Sequence, residues 1–174
     1  MPPYPYEDLS FLRSDWPPSP LFLLLDGIQD PYNLGAILRS AEVLGVDAVV
    51  LGEERQSGIT SLVARSSAGA VNYLKIIRTA DLTNVLIQWQ ARSVTILGAS
   101  EKADLPLYEV DLTGPLAVII GNEGTGIRPE LLARCHQLVT IPQAGRVGSL
   151  NAAVSAGILF YEVHRQRHAN SIPE

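Results

Sequence analysis

Hydrophobic and polar positions along this chain keep two alternating rhythms. Residues 21–26 (LFLLLD) form an unbroken apolar run, the pattern of a strand covered on both faces. The turn-rich segment DGIQDPYN follows, with Gly27 and Pro31 marking the break. Leu34, Ile37, Leu38, Ala41 and Leu44 then recur at helical spacing as one apolar stripe, with Asn33 as a cap and Gly45 as the stop. DAVVL (47–51) reads as a second strand, followed by a helix near 60–68, a strand near 72–78 and a helix over 81–92 capped by Asp81. VTILGAS (94–100), PLAVIIGNE (115–123) and QLVTIP (137–142) supply three more strands, and Leu150 to Arg167 is a long final helix. Alternation on this scale predicts an α/β domain, a mostly parallel sheet flanked by helices.

Residues 1–20 break the rhythm. They hold six of the twelve prolines (Pro2, Pro3, Pro5, Pro17, Pro18, Pro20), with Tyr4, Tyr6, Phe11 and Trp16 between them. Proline removes backbone donors and opposes helix, so this is a proline-rich arm or linker that lies along its own domain or engages a partner. The folded domain is expected over 21–168, with 169–174 as a tail. Among 174 residues, 47% are hydrophobic and 18% charged, a globular composition. Thirteen Lys and Arg against eighteen Asp and Glu give a net charge of -5, so nucleic acid can be held only by a local basic patch. The single cysteine, Cys135, excludes internal disulfides and cysteine-rich zinc sites and fits a reducing cytoplasm. No secretory signal and no apolar run of membrane-spanning length is present in the sequence, so no membrane partner is expected.

Glycine gathers after four predicted strands: Gly27, Gly98 with Ala99 and Ser100, Gly121–Gly126, and Ala144–Ser149. Ligands of open parallel sheets sit beyond such ends, where glycine lets backbone N–H groups come close. These ends are either ordinary tight turns or the lining of a pocket for a nucleotide-like molecule. The chain lacks G-x-x-x-x-G-K-[ST], G-x-G-x-x-G and G-x-S-x-G, which removes the P-loop, dinucleotide-fingerprint and α/β-hydrolase readings. His164 and His168 share a helix face without a third ligand and read as solvated. Arg39, off the apolar stripe beside Gly35 and Ala36, and Glu123, inside the third glycine loop, are the charged candidates. The final helix is apolar on more than one face, which predicts a homodimer.

Three stretches together resemble the SpoU/TrmH family of RNA ribose 2′-O-methyltransferases, of the SPOUT superfamily. They are DGIQDPYNLGAILRSAEVLGVDAVVL (26–51), AVIIGNEGTGIRPELLARCHQLVTIP (117–142) and GSLNAAVSAGILFYE (148–162), and the likeness runs over about residues 21–165. LVARSSAGAVNYLKI (62–76) is similar to the branch that modifies a guanosine of 23S ribosomal RNA. The resemblance implies a C-terminal deep trefoil knot, S-adenosylmethionine as methyl donor with no metal, and a dimer with residues of both subunits near the reaction. It carries cofactor contacts onto Gly121, Ile141 and Leu150, with Gly98 and Ala99 as neighbours. Catalytic or substrate roles fall on Asn33, Arg39, Glu123, Ser149 and Asn151.

Family reasoning gives Arg39 the activating role. A guanidinium is a poor proton acceptor, so Arg39 is better read as a fork on phosphate that stabilises the developing alkoxide. Asn33 and Asn151 would orient the ribose or the loops, Ser149 would cap the last helix, and Glu123 would hold Arg39 or position RNA. Members of that branch usually carry a separate RNA-binding domain ahead of the catalytic one; here the arm stands in that place, either as the remaining linker of a truncated chain or as part of a minimal enzyme. RNA is then expected on Arg13, Arg39, Arg65, Arg128, Arg146 and Arg165. Transfer RNA is the alternative substrate, and a non-catalytic dimeric RNA-binding module or a generic nucleotide binder are the rival classes.

Overall fold

The computed structural model describes residues 2–169; the predicted tail beyond 169 lies outside them. Seven strands form one all-parallel sheet in the order β3-β2-β1-β6-β4-β7-β5. They are β1 (Leu21–Asp26), β2 (Ala48–Leu51), β3 (Lys75–Arg78), β4 (Thr95–Ala99), β5 (Leu105–Pro106), β6 (Leu116–Gly121) and β7 (Gln137–Thr140). The helices are α1 (Pro31–Val43), α2 (Ser61–Ser66), α3 (Leu82–Ala91), α4 (Pro129–Leu132) and α5 (Ala152–His168).

All six residues of β1 are buried, because β1 lies between β2 and β6 and is covered on both faces. Its side chains alternate: Leu21, Leu23 and Leu25 join the cluster under α1, α2 and α5, and Phe22 and Leu24 join the one under α3 and α4. Phe22 stacks on Trp89 of α3, with ring centroids 5.0 Å apart, and meets Trp16 of the arm edge-on. The arm lies along its own domain. Tyr4 donates its hydroxyl to Val71 O at 2.7 Å, Glu7 bridges to Ile77 on β3, and Leu12 is buried in a 3-10 turn over Leu9–Arg13.

Several local expectations change. Helix α1 is capped by Asp30, whose carboxylate accepts from Tyr32 N and Asn33 N, and Pro31 takes the first helical position. Asn33 is therefore inside the helix and its side chain is free for other work. Helix α5 is capped by Asn151 and not by Ser149. The third strand is shorter than 72–78, since Ala70–Asn72 makes a 3-10 turn, and β5 and α4 were not anticipated. Among the described residues no helix is long and apolar enough to cross a membrane.

Candidate active site

Parallel strands deliver all their carboxyl ends to one edge of the sheet, and the neighbours β6, β4 and β7 end there side by side. A cleft of about 510 Å³ opens beyond them. Its lining comes from Ala99–Lys102 at and beyond the end of β4, Ile120–Ile127 at and beyond the end of β6, Val139–Ile141 and Gln143 at and beyond the end of β7, and Ser149–Ala152 at the start of α5. Apolar walls (Ile120, Ile141, Leu150, Leu159) face glycine-rich backbone, and Glu101, Lys102 and Glu123 are the charged groups on the rim. The volume falls within the ~300–1,000 Å³ usual for small-ligand sites.

The loop 121–128 is the most constrained part of this lining. A Cβ on Gly121 would lie 2.4 Å from Gly126 C and Ile127 N, so no other residue lets the loop fold back so tightly. Asn122 closes it: its backbone exchanges hydrogen bonds with Gly126, and its Oδ1 accepts from Gly124 N and Thr125 N. Gly126 holds φ +73, a conformation that side-chained residues resist.

Glu123 rides on this loop and meets two asparagines. Asn33 Nδ2 donates to Glu123 Oε1 at 3.1 Å, and Asn151 Nδ2 donates to Asn33 Oδ1 at 3.0 Å. The direction of the chain is fixed at its far end. Asn151 Oδ1 accepts from Ala153 N and Val154 N at the α5 N-terminus, so its amide nitrogen must face Asn33. Asn33 then offers its oxygen to Asn151 and its nitrogen to Glu123, which can only accept. Three elements distant in sequence are thus joined by one polarised chain at the mouth of the cleft.

The expected residues divide accordingly. Ala99, Gly121, Ile141, Leu150, Glu123, Ser149 and Asn151 line the cleft, and Asn33 is tied to two of them. Gly98 is not among the lining residues: a Cβ there would meet Leu138 at 2.6 Å, Cys135 at 2.9 Å and Ile127 at 3.3 Å, so this glycine serves close packing. Arg39 is exposed on α1 and is not part of the lining within one chain. Arg128, expected to hold RNA, is engaged within the chain: its guanidinium bonds Asp26 at 2.7 Å and reaches Glu54 and Glu130. Arg165 is likewise engaged with Glu162 through two bonds of 2.8 Å. His164 and His168 are exposed with their rings stacked, and burial pushes the Cys135 thiol up to about 11, which keeps it protonated at neutral pH. Among the described residues no group of three or more His, Cys, Asp or Glu could hold a metal ion.

Asp26, Gln56 and Asn122 shape the site without standing among the sequence's candidate residues. An acid ending an otherwise apolar strand run is the available signal for Asp26; nothing local marks Gln56, which is buried and bonded to Gly27 and Ile28 from 29 and 28 residues away.

A family model described as "SpoU rRNA Methylase family" matches residues 20–161. The chain belongs to the SpoU rRNA methylase family. It is 42% identical over 161 residues to the 23S rRNA (guanosine-2′-O-)-methyltransferase RlmB of Coxiella burnetii, covering 92% of this chain and 64% of that protein. It is 40% identical over 149 residues to RlmB of Yersinia pestis, covering 86% and 61%. Among solved structures, the SpoU methyltransferase AviRb from Streptomyces viridochromogenes superposes with a TM-score of 0.87 at 30% identity, covering 95% of this chain and 66% of that one. AviRb in complex with the cofactor AdoMet superposes at 0.86. The chain thus spans about three-fifths of the length of the curated SpoU relatives it matches.

Proposed function

We propose that this chain transfers a methyl group from S-adenosylmethionine to a ribose 2′-hydroxyl of RNA, with a guanosine of 23S ribosomal RNA as target. The observation that carries the proposal is the Asn151–Asn33–Glu123 chain at the mouth of a backbone-lined cleft, in a chain whose family match spans that whole site. The relatives named for 23S rRNA guanosine methylation favour the substrate.

The cleft suits the donor. Its apolar walls at Ile141, Leu150 and Leu159 fit an adenine, the glycine backbone of 121–126 offers N–H and C=O groups to polar atoms, and Glu123 suits a cationic sulfonium. Bound there, the cofactor supplies an already activated methyl group. The protein's own task is alignment and charge. Arg39 grips a phosphate and stabilises oxygen as negative charge develops on it, the proton leaving to phosphate or water. Asn33, Glu123 and Asn151 fix the loops and the ribose, and Ser149 contacts cofactor or substrate from the cleft wall.

Arg39 lies outside its own chain's cleft, which supports a homodimer in which each site takes this residue from the second copy. The surface for it is α5, the helix packed against α1, where Val154, Ile158 and Tyr161 are exposed at helical spacing. Residues 21–168 form the catalytic domain in this reading, and the C-terminal segment threads as a trefoil knot. In support, the chain leaves β7, crosses the carboxyl ends of the strands and returns to seat α5 on α1. Work on ribosomal RNA implies a cytoplasmic protein.

The test is transfer of labelled methyl from S-adenosylmethionine to unmodified ribosomal and transfer RNA, separately, with the modified nucleotide mapped. Incorporation at a guanosine 2′-oxygen of 23S RNA is expected. Incorporation only into transfer RNA would replace the substrate, and cofactor binding without transfer to either would favour a non-catalytic RNA-binding module.

A further inference from the structure

The loop 121–128 bears Glu123 and floors the cleft, and it is bolted to the end of β1 at two points that the proposed chemistry does not use. The first is Asp26. Its side chain is 4% exposed, and both oxygens face one residue: Oδ2 accepts from Arg128 N at 2.9 Å and Oδ1 from Arg128 Nε at 2.7 Å. The second is Asn122, whose Nδ2 donates to Gly27 O at 2.8 Å while its Oδ1 holds the turn. Gly27 is fixed in turn, since Gln56 Oε1 accepts from Gly27 N and Ile28 N.

A buried carboxylate needs a partner, and one with two matched donors sets position as well as charge. The clasp therefore holds the two ends of the loop, residues 122 and 128, against residues 26 and 27, and Glu123 sits one residue from the first bolt. The free edge of the Arg128 guanidinium faces Glu54 and Glu130, both exposed acids, which disfavours an RNA phosphate there.

We infer that Asp26, Arg128 and Asn122 are positioning residues: they act through the loop to hold the cofactor floor and Glu123 in register, and Arg128 is not an RNA contact. The inference rests on the proposed methyl-transfer function and adds residues to its site. The experiment uses the full chain and three readouts: S-adenosylmethionine affinity by calorimetry, kcat at saturating cofactor, and the salt dependence of binding to a ribosomal RNA transcript.

Arg128→Gln removes the charge and keeps a side-chain donor. It is expected to raise the cofactor Kd by about tenfold or more, the cost of a lost charge-assisted bond. It should also lower kcat, and leave the salt slope of RNA binding unchanged. Asn122→Asp guards against a folding failure, because it keeps the acceptor that closes the turn, while its second oxygen cannot donate to Gly27 O and so undoes the bolt. It too should weaken cofactor binding and lower kcat at an almost unchanged melting temperature. Unchanged cofactor affinity and kcat in both variants would overturn the inference. So would a salt slope reduced by about one phosphate contact in Arg128→Gln. Failure of the wild-type chain to bind S-adenosylmethionine at all is a different result, which removes the function and the clasp's role in it together.

Discussion

Asn151 carries two loads that one substitution can separate. Its oxygen caps α5 and its nitrogen starts the chain to Glu123. Asn151→Asp keeps an acceptor for Ala153 N and Val154 N, and a carboxylate suits a helix N-terminus, so stability is retained. It cannot donate to Asn33, so the orientation of Asn33 and Glu123 is lost. The expected outcome is a melting temperature within a few degrees of wild type and a kcat lower by about tenfold or more, read from labelled-methyl transfer. A variant with full turnover would show that the chain only supports the fold. Cys135 gives a second check at this scale. Its thiol, pushed up to about 11 by burial, should be alkylated by iodoacetamide at pH 8 far more slowly in the folded chain than in denaturant.

Elements meet at places that local sequence does not announce. Arg167, in the last turn of α5, donates to four backbone carbonyls: Leu112 O, Ser19 O, Pro20 O and Gly114 O. One guanidinium thus staples the final helix to the end of the arm and to the segment before β6. Arg167→Ala should cost about 2 kcal/mol, or roughly 4–8 °C in melting temperature, since water can partly replace it at this half-exposed site. Differential scanning calorimetry reads the loss. Much at this scale was legible beforehand. The apolar run of 21–26, the stripe from Leu34 to Ala41 and the Asp81 cap all match the structure, because buried strands and amphipathic helices leave periodic marks. Asn33 is not the cap its position suggests, because Asp30, three residues earlier, does that work with Pro31 at the first helical position. β5 was missed because two residues paired with β7 carry no period.

The whole molecule leaves an apolar stripe on α5 and an arginine outside its own cleft, and the proposed dimer accounts for both. Ile158→Glu places a charge in that stripe and should yield monomers by sedimentation, with transfer lost while the cleft still binds S-adenosylmethionine. Subunit mixing tests the sharing of sites. Arg39→Ala and Asn151→Ala chains, each inactive alone, form mixed dimers in which one site of two is intact if Arg39 acts across the interface. Random pairing then restores about a quarter of wild-type activity. No recovery, with exchange verified, would put Arg39 to work on its own chain's cleft.

The sequence by itself determined the alternation of strands and helices, the glycine-bearing strand ends and the family motifs, since each is written in contiguous residues and their spacing. Tertiary structure alone decided which ends converge, because strand order depends on pairing between segments far apart in the chain. It decided that Asn33, Glu123 and Asn151 form one polarised chain across separations of 90 and 118 residues. It also decided that Arg128 belongs to Asp26, 102 residues away, and that Leu138 and Cys135 close over Gly98. A side chain's type states what it can donate or accept; only the fold chooses its partner.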